Sequence, residues 1–286
     1  MTSPPPVFSR LRCPNAKGEN AMLSFSILGA LQIRTALGPA EISGDLQRTL
    51  IQTLLVNEGQ SISGESLVEE MWGDSVPDNQ ANALQAHISR LRRKLKSLEP
   101  DRVSSRVTIH PSGYRLTVTE GELDAAEFAK TVRQAEVAAA SDPAATARLL
   151  GNALAMWRGP VFGDFTGGTL CQLACGRYEE HRMRAMELRF DAELRLRNHA
   201  AVLAELHDAH TNHPLRERFC EQLMIALYRS GRQADALNVY RRMWQHLSDE
   251  LGIEPSPALR RVENAILSHD PALACDSPAS VILQPA

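Results

Sequence analysis

From Leu23 the chain alternates. Leu23, Phe25 and Ile27 are apolar with small polar residues between them, Gly29 interrupts, and Leu31 and Ile33 resume the period of two. A small N-terminal sheet is expected from this half-buried strand pattern. The period then lengthens: Leu46, Leu50, Leu54 and Leu55 recur at helical spacing behind a cap at Gly44 or Asp45, and the run closes at Asn57 to Gly59. A shorter amphipathic helix from Ser63 to Trp72 follows, with Leu67, Val68, Met71 and Trp72 apolar and Gly73 as its stop. Between Pro77 and Pro100, Leu84, Ile88, Leu91, Leu95 and Leu98 step by four and three residues, forming one stripe of a helix of about five turns. At about 100° per residue, Asn82, Ala86, Ser89 and Arg93 fall opposite that stripe, flanked by Gln85 and Lys96 on one side and Arg90 on the other. Two β-branched runs in RVTIHPSGYRLTV then pair across Pro111-Ser112-Gly113, a hairpin signal. Three helices and a hairpin in this order are those of a winged helix-turn-helix.

At Gly121 the character changes to an Ala-rich, Arg/Glu-laced sequence with helices expected near 124–140, 144–157, 170–197, 199–212, 215–230, 233–251 and 257–268. The loop RGPVFGDFTGG, with four glycines and a proline, breaks the helical run. Shifting the chain by 34 residues lays Ala192, Leu194, Ala200, Leu203 and Leu206 on Ala226, Tyr228, Ala234, Leu237 and Tyr240. That is the tetratricopeptide period, with Ala expected where paired helices cross. The expected fold class is α+β, an N-terminal winged helix-turn-helix followed by an all-α tetratricopeptide-like domain. The expected divisions are a disordered arm over 1–21, a DNA-binding domain over 22–120, the helical domain over 121–269 and a disordered tail over 270–286. The arm carries four prolines, and Met22 is an alternative start to Met1.

Composition adds exclusions. A chain 43% hydrophobic and 23% charged is neither a membrane protein nor wholly disordered, and no apolar run approaches a membrane span. Residues 1–20 lack the apolar core of a secretory signal, and five scattered cysteines make no disulfide framework, so a cytoplasmic, nucleoid-associated protein is expected. A net charge of -3 argues against general coating of nucleic acid.

Locally the sign reverses. Arg90, Arg92, Arg93, Lys94, Lys96, Arg102 and Arg106 face only Glu99 and Asp101, a surplus of five positive charges in 17 residues. A solvated basic face is the bland reading of such a helix; the hairpin behind it raises the DNA-binding reading above it. In the major groove Asn82, Gln85, Ser89, Arg90, Arg92, Arg93 and Lys96 are the expected contacts, since Asn and Gln suit adenine and Arg suits guanine. Arg48, Arg106, His110, Ser112, Gly113 and Arg115 are the expected backbone and wing contacts, with the turn near the adjacent minor groove.

The motifs EEMWGD, NALQAHISRLRRKL, SGYRL, LDAAEF, ALAMWRG, HPLRERFCEQLMIALYRSGRQADALNVYRRM and DELGIEPSPALRRVE cover roughly residues 23–270. In combination they resemble the Streptomyces antibiotic regulatory protein family: an OmpR/PhoB-type DNA-binding domain joined to a bacterial transcriptional activator domain. The resemblance implies an actinobacterial activator that binds direct repeats in promoter DNA near the −35 element and recruits RNA polymerase holoenzyme, through sigma factor and core subunits, to a secondary-metabolite cluster. Reading paired repeats implies a homodimer on DNA. Two departures stand out. The family's basic entry to the first helix is here Gly44-Asp45-Leu46-Gln47-Arg48, and no G-x-x-x-x-G-K-S/T sequence or receiver domain is present, as expected of the short form.

No enzyme, cofactor or metal is expected. Cys171, Cys175 and His181 make at most a partial metal site and are read as buried small residues, with His207, His210 and His213 at the end of a surface helix. Glu179, Glu180, Asp191 and Glu193 read as a charged exterior, and Trp157, Tyr228, Tyr240 and Trp244 as packing residues. Two other functions are weighed: a helical-repeat scaffold whose N-terminal domain docks protein, motivated by a second half with 18 Lys+Arg against 22 Asp+Glu, and a repressor using the same DNA-binding domain.

Overall fold

The computed structural model describes residues 23–274. The proline-rich arm, the Met22 start and the tail beyond Ala274 lie outside the described residues. Strands β1 (Ser24–Ser26), β2 (Gln32–Thr35) and β3 (Gly38–Ala40) form an antiparallel sheet in chain order, with Phe25 opposite Ile33 and Ile33 opposite Ala40. The alternation is used as the pattern requires: Leu23, Phe25, Ile27 and Ile33 are buried. Strand β3, only Gly-Pro-Ala, carries no alternation and is defined by its partner alone.

Helices α1 (Asp45–Val56), α2 (Gly64–Trp72) and α3 (Gln80–Leu98) follow, then the hairpin β4 (Val107–His110) and β5 (Gly113–Leu116). Ser63 caps α2 by accepting from Ser66 N, and Asn79 caps α3 by accepting from Asn82 N. The hairpin is tied back to the α1–α2 connection by a bridge between Ile62 and Tyr114. Six longer helices build the second half: α4 (Asp124–Ala138), α5 (Pro143–Leu154), α6 (Thr169–Arg195), α7 (His199–Asn212), α8 (Glu217–Arg229) and α9 (Gln233–His246). A π turn (Leu247–Leu251), α10 (Pro257–Leu267) and α11 (Pro271–Ala274) close the described chain.

The 34-residue period is real in space: α6 and α8 end 34 residues apart, and α7 and α9 both begin and end 34 apart. Arg197 and Gly231, also 34 apart, carry the positive φ that turns each pair. Among the crossing residues, Ala192 with Ala226 and Leu206 with Tyr240 are buried as expected, and the start of the second helix of each pair differs. Ala200 and Ala234 face solvent and Leu203 and Leu237 are half-buried, while Val202 with Ala236, Leu206 with Tyr240 and Ala209 with Met243 occupy the buried register. The buried stripe runs through Val202, Leu206 and Ala209 and through Ala236, Tyr240 and Met243, and Ala200 and Ala234, two residues before each stripe begins, fall on the opposite face. Three further corrections concern the ends and faces of helices. The tail expected to be disordered from Asp270 begins as a docked turn, with Leu273 buried, its carbonyl accepting from Arg229 Nε and Asp270 capping Ala272 N. Trp244 is half exposed, so it is not a packing residue. His210, expected on a surface helix end, turns inward.

Its Nδ1 is buried without a hydrogen-bond partner among the described residues, and burial, with Arg242, His207 and His246 nearby, pushes its pKa down to about 4. The folded state therefore binds this proton less readily than the unfolded chain. The stability that His210 confers is complete above the unfolded pKa of about 6.5 and is lost as pH falls toward 4. Urea midpoints should drop on acidification through this window, and His210→Gln should flatten the drop.

Two hydrophobic cores divide the chain, but not at residue 121. The first runs from Leu23 through the sheet, α1–α3 and the hairpin into α4, α5 and the first half of α6, ending at Ala185. The second runs from Met183 through α10 to Leu273. Helix α6, with 27 residues and a length of roughly 40 Å, belongs to both. Among the described residues no helix is long and apolar enough to cross a membrane.

Candidate nucleic-acid interface

Helix α3 has no acidic residue and two faces of opposite character. Leu84, Ile88, Leu91 and Leu95 are buried against the first core, Leu98 is half-buried, and Asn82, Gln85, Ser89, Arg90 and Arg93 are exposed. None of these five side chains hydrogen-bonds to another described residue. An exposed row of one Asn, one Gln, one Ser and two Arg along a helix of 19 residues has its donors and acceptors free for a groove. The face is held from behind. Gln47 of α1 donates from Nε2 to His87 Nδ1 at 2.8 Å and to the His87 carbonyl at 3.2 Å, and Trp72 of α2 meets the His87 ring edge-on at 5.6 Å. Burial and the neighbouring Arg90 lower the His87 pKa, so this joint between three helices is neutral at physiological pH. The spacing of apolar residues contains no sign of this joint.

The other expected contacts separate into two groups. Arg92 is half-buried and donates from Nε to the Val107 carbonyl at 2.9 Å, tying α3 to the hairpin. Lys96 is exposed, but its ammonium closes the turn after α3, donating to the Pro100 carbonyl at 2.9 Å and to that of Arg102. Arg48 lies over the Phe165 ring, 5.0 Å from its centroid, so the cation left at the entry to α1 is turned toward the helical half.

Arg106 is the clear correction. It is 3% exposed, forks onto Glu99 at 2.6 and 2.6 Å and onto both oxygens of Glu122, and donates to the Thr117 carbonyl at 3.0 Å. Burial works against the Arg106 charge, but these carboxylates outweigh it and hold its pKa up. For Glu122 burial also opposes ionisation, and Arg106 and the Thr119 amide hold its pKa below the usual carboxylate range. Arg106 therefore contributes no charge to a DNA face. The local cations left exposed are Arg90, Arg93, Lys94, Lys96 and Arg115.

In the hairpin, His110 pairs with Gly113 across the two-residue turn Pro111-Ser112, and His110 Nδ1 lies 3.0 Å from Ser112 Oγ. Pro111, Ser112 and Arg115 are exposed at the tip. Gly113, half-buried, is where the hairpin presses on the chain before α2. Its φ is +129°, and a Cβ there would lie 1.9 Å from the Ile62 carbonyl oxygen and 2.8 Å from Ser63 Cα. Gly113→Ala should cost more than about 2 kcal/mol, because backbone rather than a flexible side chain must move. A fall in melting temperature together with weakened DNA binding would register it.

Residues 123–267 match the model of the bacterial transcriptional activator domain, and residues 44–116 match that of the transcriptional regulatory protein C-terminal domain. The chain is 37% identical over 261 residues to the transcriptional regulator RedD of Streptomyces coelicolor, covering 91% of this chain and 75% of RedD. It is 31% identical to the regulatory protein DnrI of Streptomyces peucetius, covering 81% of this chain and 87% of DnrI. Among solved structures, Mycobacterium tuberculosis EmbR in complex with a low affinity phosphopeptide superposes with a TM-score of 0.81 at 31% identity, over 91% of this chain and 69% of EmbR.

Proposed function

The chain belongs to the Streptomyces antibiotic regulatory protein family, a transcriptional regulator built on the bacterial transcriptional activator domain, and from that premise we propose that it activates a secondary-metabolite gene cluster by binding paired direct repeats near a promoter −35 element. Helix α3 enters the major groove and reads base edges with Asn82, Gln85, Ser89, Arg90 and Arg93. The Pro111-Ser112 tip and Arg115 follow the adjacent backbone or minor groove, and two copies occupy neighbouring repeats. Residues 121–269 act as the activator domain and contact RNA polymerase holoenzyme, and the protein works in the cytoplasm on nucleoid DNA. The observation that carries this reading is the acid-free face of α3, whose five polar side chains are exposed and unengaged beside a hairpin that exposes Arg115.

DNase footprinting on the promoters of the neighbouring cluster, with transcription from the same fragments, tests it. Protected direct repeats with stimulated transcription are expected, and log K should fall with log[salt] at a slope of about -3 to -4 if three or four phosphates are neutralised per protomer. Absence of any protected repeat at physiological salt would overturn the reading, and protection with repression would replace activator by repressor.

A further inference from the structure

The loop between α5 and α6, legible in sequence only as a helix breaker, is where the winged helix is fastened to the helical half. Arg158 donates from its backbone to the Leu28 carbonyl at 2.8 Å, and Ala30 and Phe162 form a bridge. Gln52 of α1, 1% exposed, grips the far end of the loop with both atoms of its amide: Oε1 accepts from Gly167 N at 2.9 Å and Nε2 donates to the Phe165 carbonyl at 2.9 Å. Glu70 of α2, 7% exposed, accepts from Leu170 N at 2.6 Å through Oε1. Helix α6 has no side-chain cap from its own N-cap residue, Gly168. Its N-terminus is thus capped by a carboxylate from the helix-turn-helix, where negative charge opposes the helix dipole. Such an approach needs Gly168, since a Cβ there would lie 2.7 Å from the Glu70 carbonyl oxygen and 2.9 Å from its Cα.

Glu70 Oε2 is buried with no hydrogen-bond partner among the described residues. An apolar side chain would fill this space without that penalty; what the carboxylate adds is one directional bond to α6. Because α6 runs on into the second core, orientation set at Leu170 is carried through a single helix to the far module.

We propose that Glu70 and Gln52 are positioning residues: they lock α6 to the helix-turn-helix so that the helical module is presented at one orientation while α3 occupies DNA. This rests on the DNA-binding activator reading. Both side chains are buried, so neither touches DNA, and the direct prediction is that activation and binding separate.

Full-length Glu70→Ala, Gln52→Ala and Glu70→Gln proteins test it on the footprinted promoter. Glu70→Ala and Gln52→Ala should keep promoter Kd within about threefold of wild type while activated transcription falls at least about fivefold and Leu170 amide exchange speeds at least about tenfold. Glu70→Gln, which keeps the acceptor oxygen, should activate within about twofold of wild type. If Kd worsens in step with transcription, or if both alanine variants activate like wild type, the inference is wrong while the DNA-binding reading stands. A wild-type protein that leaves the promoter unprotected overturns both. Should Glu70→Ala fail to fold, Gln52→Ala carries the same expectations, since Gln52 holds the loop and not the helix dipole.

Discussion

Replacing Arg106 by alanine lowers the unfolding free energy by about 3–5 kcal/mol, the range for removing one partner of a buried ion pair. The deleted guanidinium leaves Glu122, whose side chain is 2% exposed, without its cation, and leaves Glu99, at 15%, with only Arg102 at 3.9 Å. The damage spreads because four elements meet there. Glu99 follows α3, Arg106 precedes β4, Glu122 leads into α4, and the Glu122 carbonyl accepts from Phe25 N at 2.6 Å. Urea unfolding monitored by circular dichroism measures the loss, and Arg106→Ala with Glu122→Gln should recover part of it by removing one stranded charge. The pH dependence has a definite sign. Glu122 is held below its usual value of 4.5, so its contribution is complete above that pH and is lost as pH falls below it. Acidification should therefore narrow the gap between wild type and Arg106→Ala.

Arg93→Ala gives the opposite pattern. The side chain is exposed and makes no hydrogen bond to a described residue, so stability should stay within about 0.5 kcal/mol of wild type. Specific affinity should fall by about 1–3 kcal/mol, or roughly 5- to 150-fold in Kd, if Arg93 forks onto guanine O6 and N7. Competition between the footprinted repeat and random DNA checks it. A base contact lowers affinity for the repeat and relaxes the sequence preference at one position. A phosphate contact weakens both DNAs equally and reduces the salt slope by about 1. Unchanged affinity for both would remove Arg93 from the interface. Arg93 and Arg106 lie 13 positions apart in the same basic run, and the two substitutions should nonetheless affect different properties.

The contrast between Arg93 and Arg106 comes from what is local in the chain and what is not. The apolar stripe Leu84, Ile88, Leu91, Leu95 needs only the helical period to be placed against a core, and its antipodes Asn82, Ser89 and Arg93 follow by geometry. The 34-residue repeat likewise predicts where paired helices end, because each pair must stack on the next with the same length. Charge is less local. Arg92 and Arg106 belong to the same basic run as Arg93, yet their partners are Val107 and Glu122, 15 and 16 residues further on, which they meet only after the chain has turned back. The surplus of five positive charges was a property of the chain; the surface keeps it only in part. His210 shows the same limit from the other side, since a three-residue histidine spacing cannot reveal which ring an adjoining helix covers.

The division into domains follows the same logic. Composition changes at Gly121, and the family models match 44–116 and 123–267, so the two modules are written in local pattern. The core does not respect that border. Gln52, Glu70, Asp124 and the loop before α6 close one interface between segments 96 to 115 residues apart, with Asp124 accepting from Ile27 N at 2.8 Å and Leu28 N at 3.2 Å. Periodicity, caps and breakers depend on neighbours within a few residues and are therefore present in the amino-acid order. Which carboxylate neutralises which cation, which glycine admits another backbone and which polar face stays free for DNA depend on segments far apart in the chain, and these come into being when the cores close.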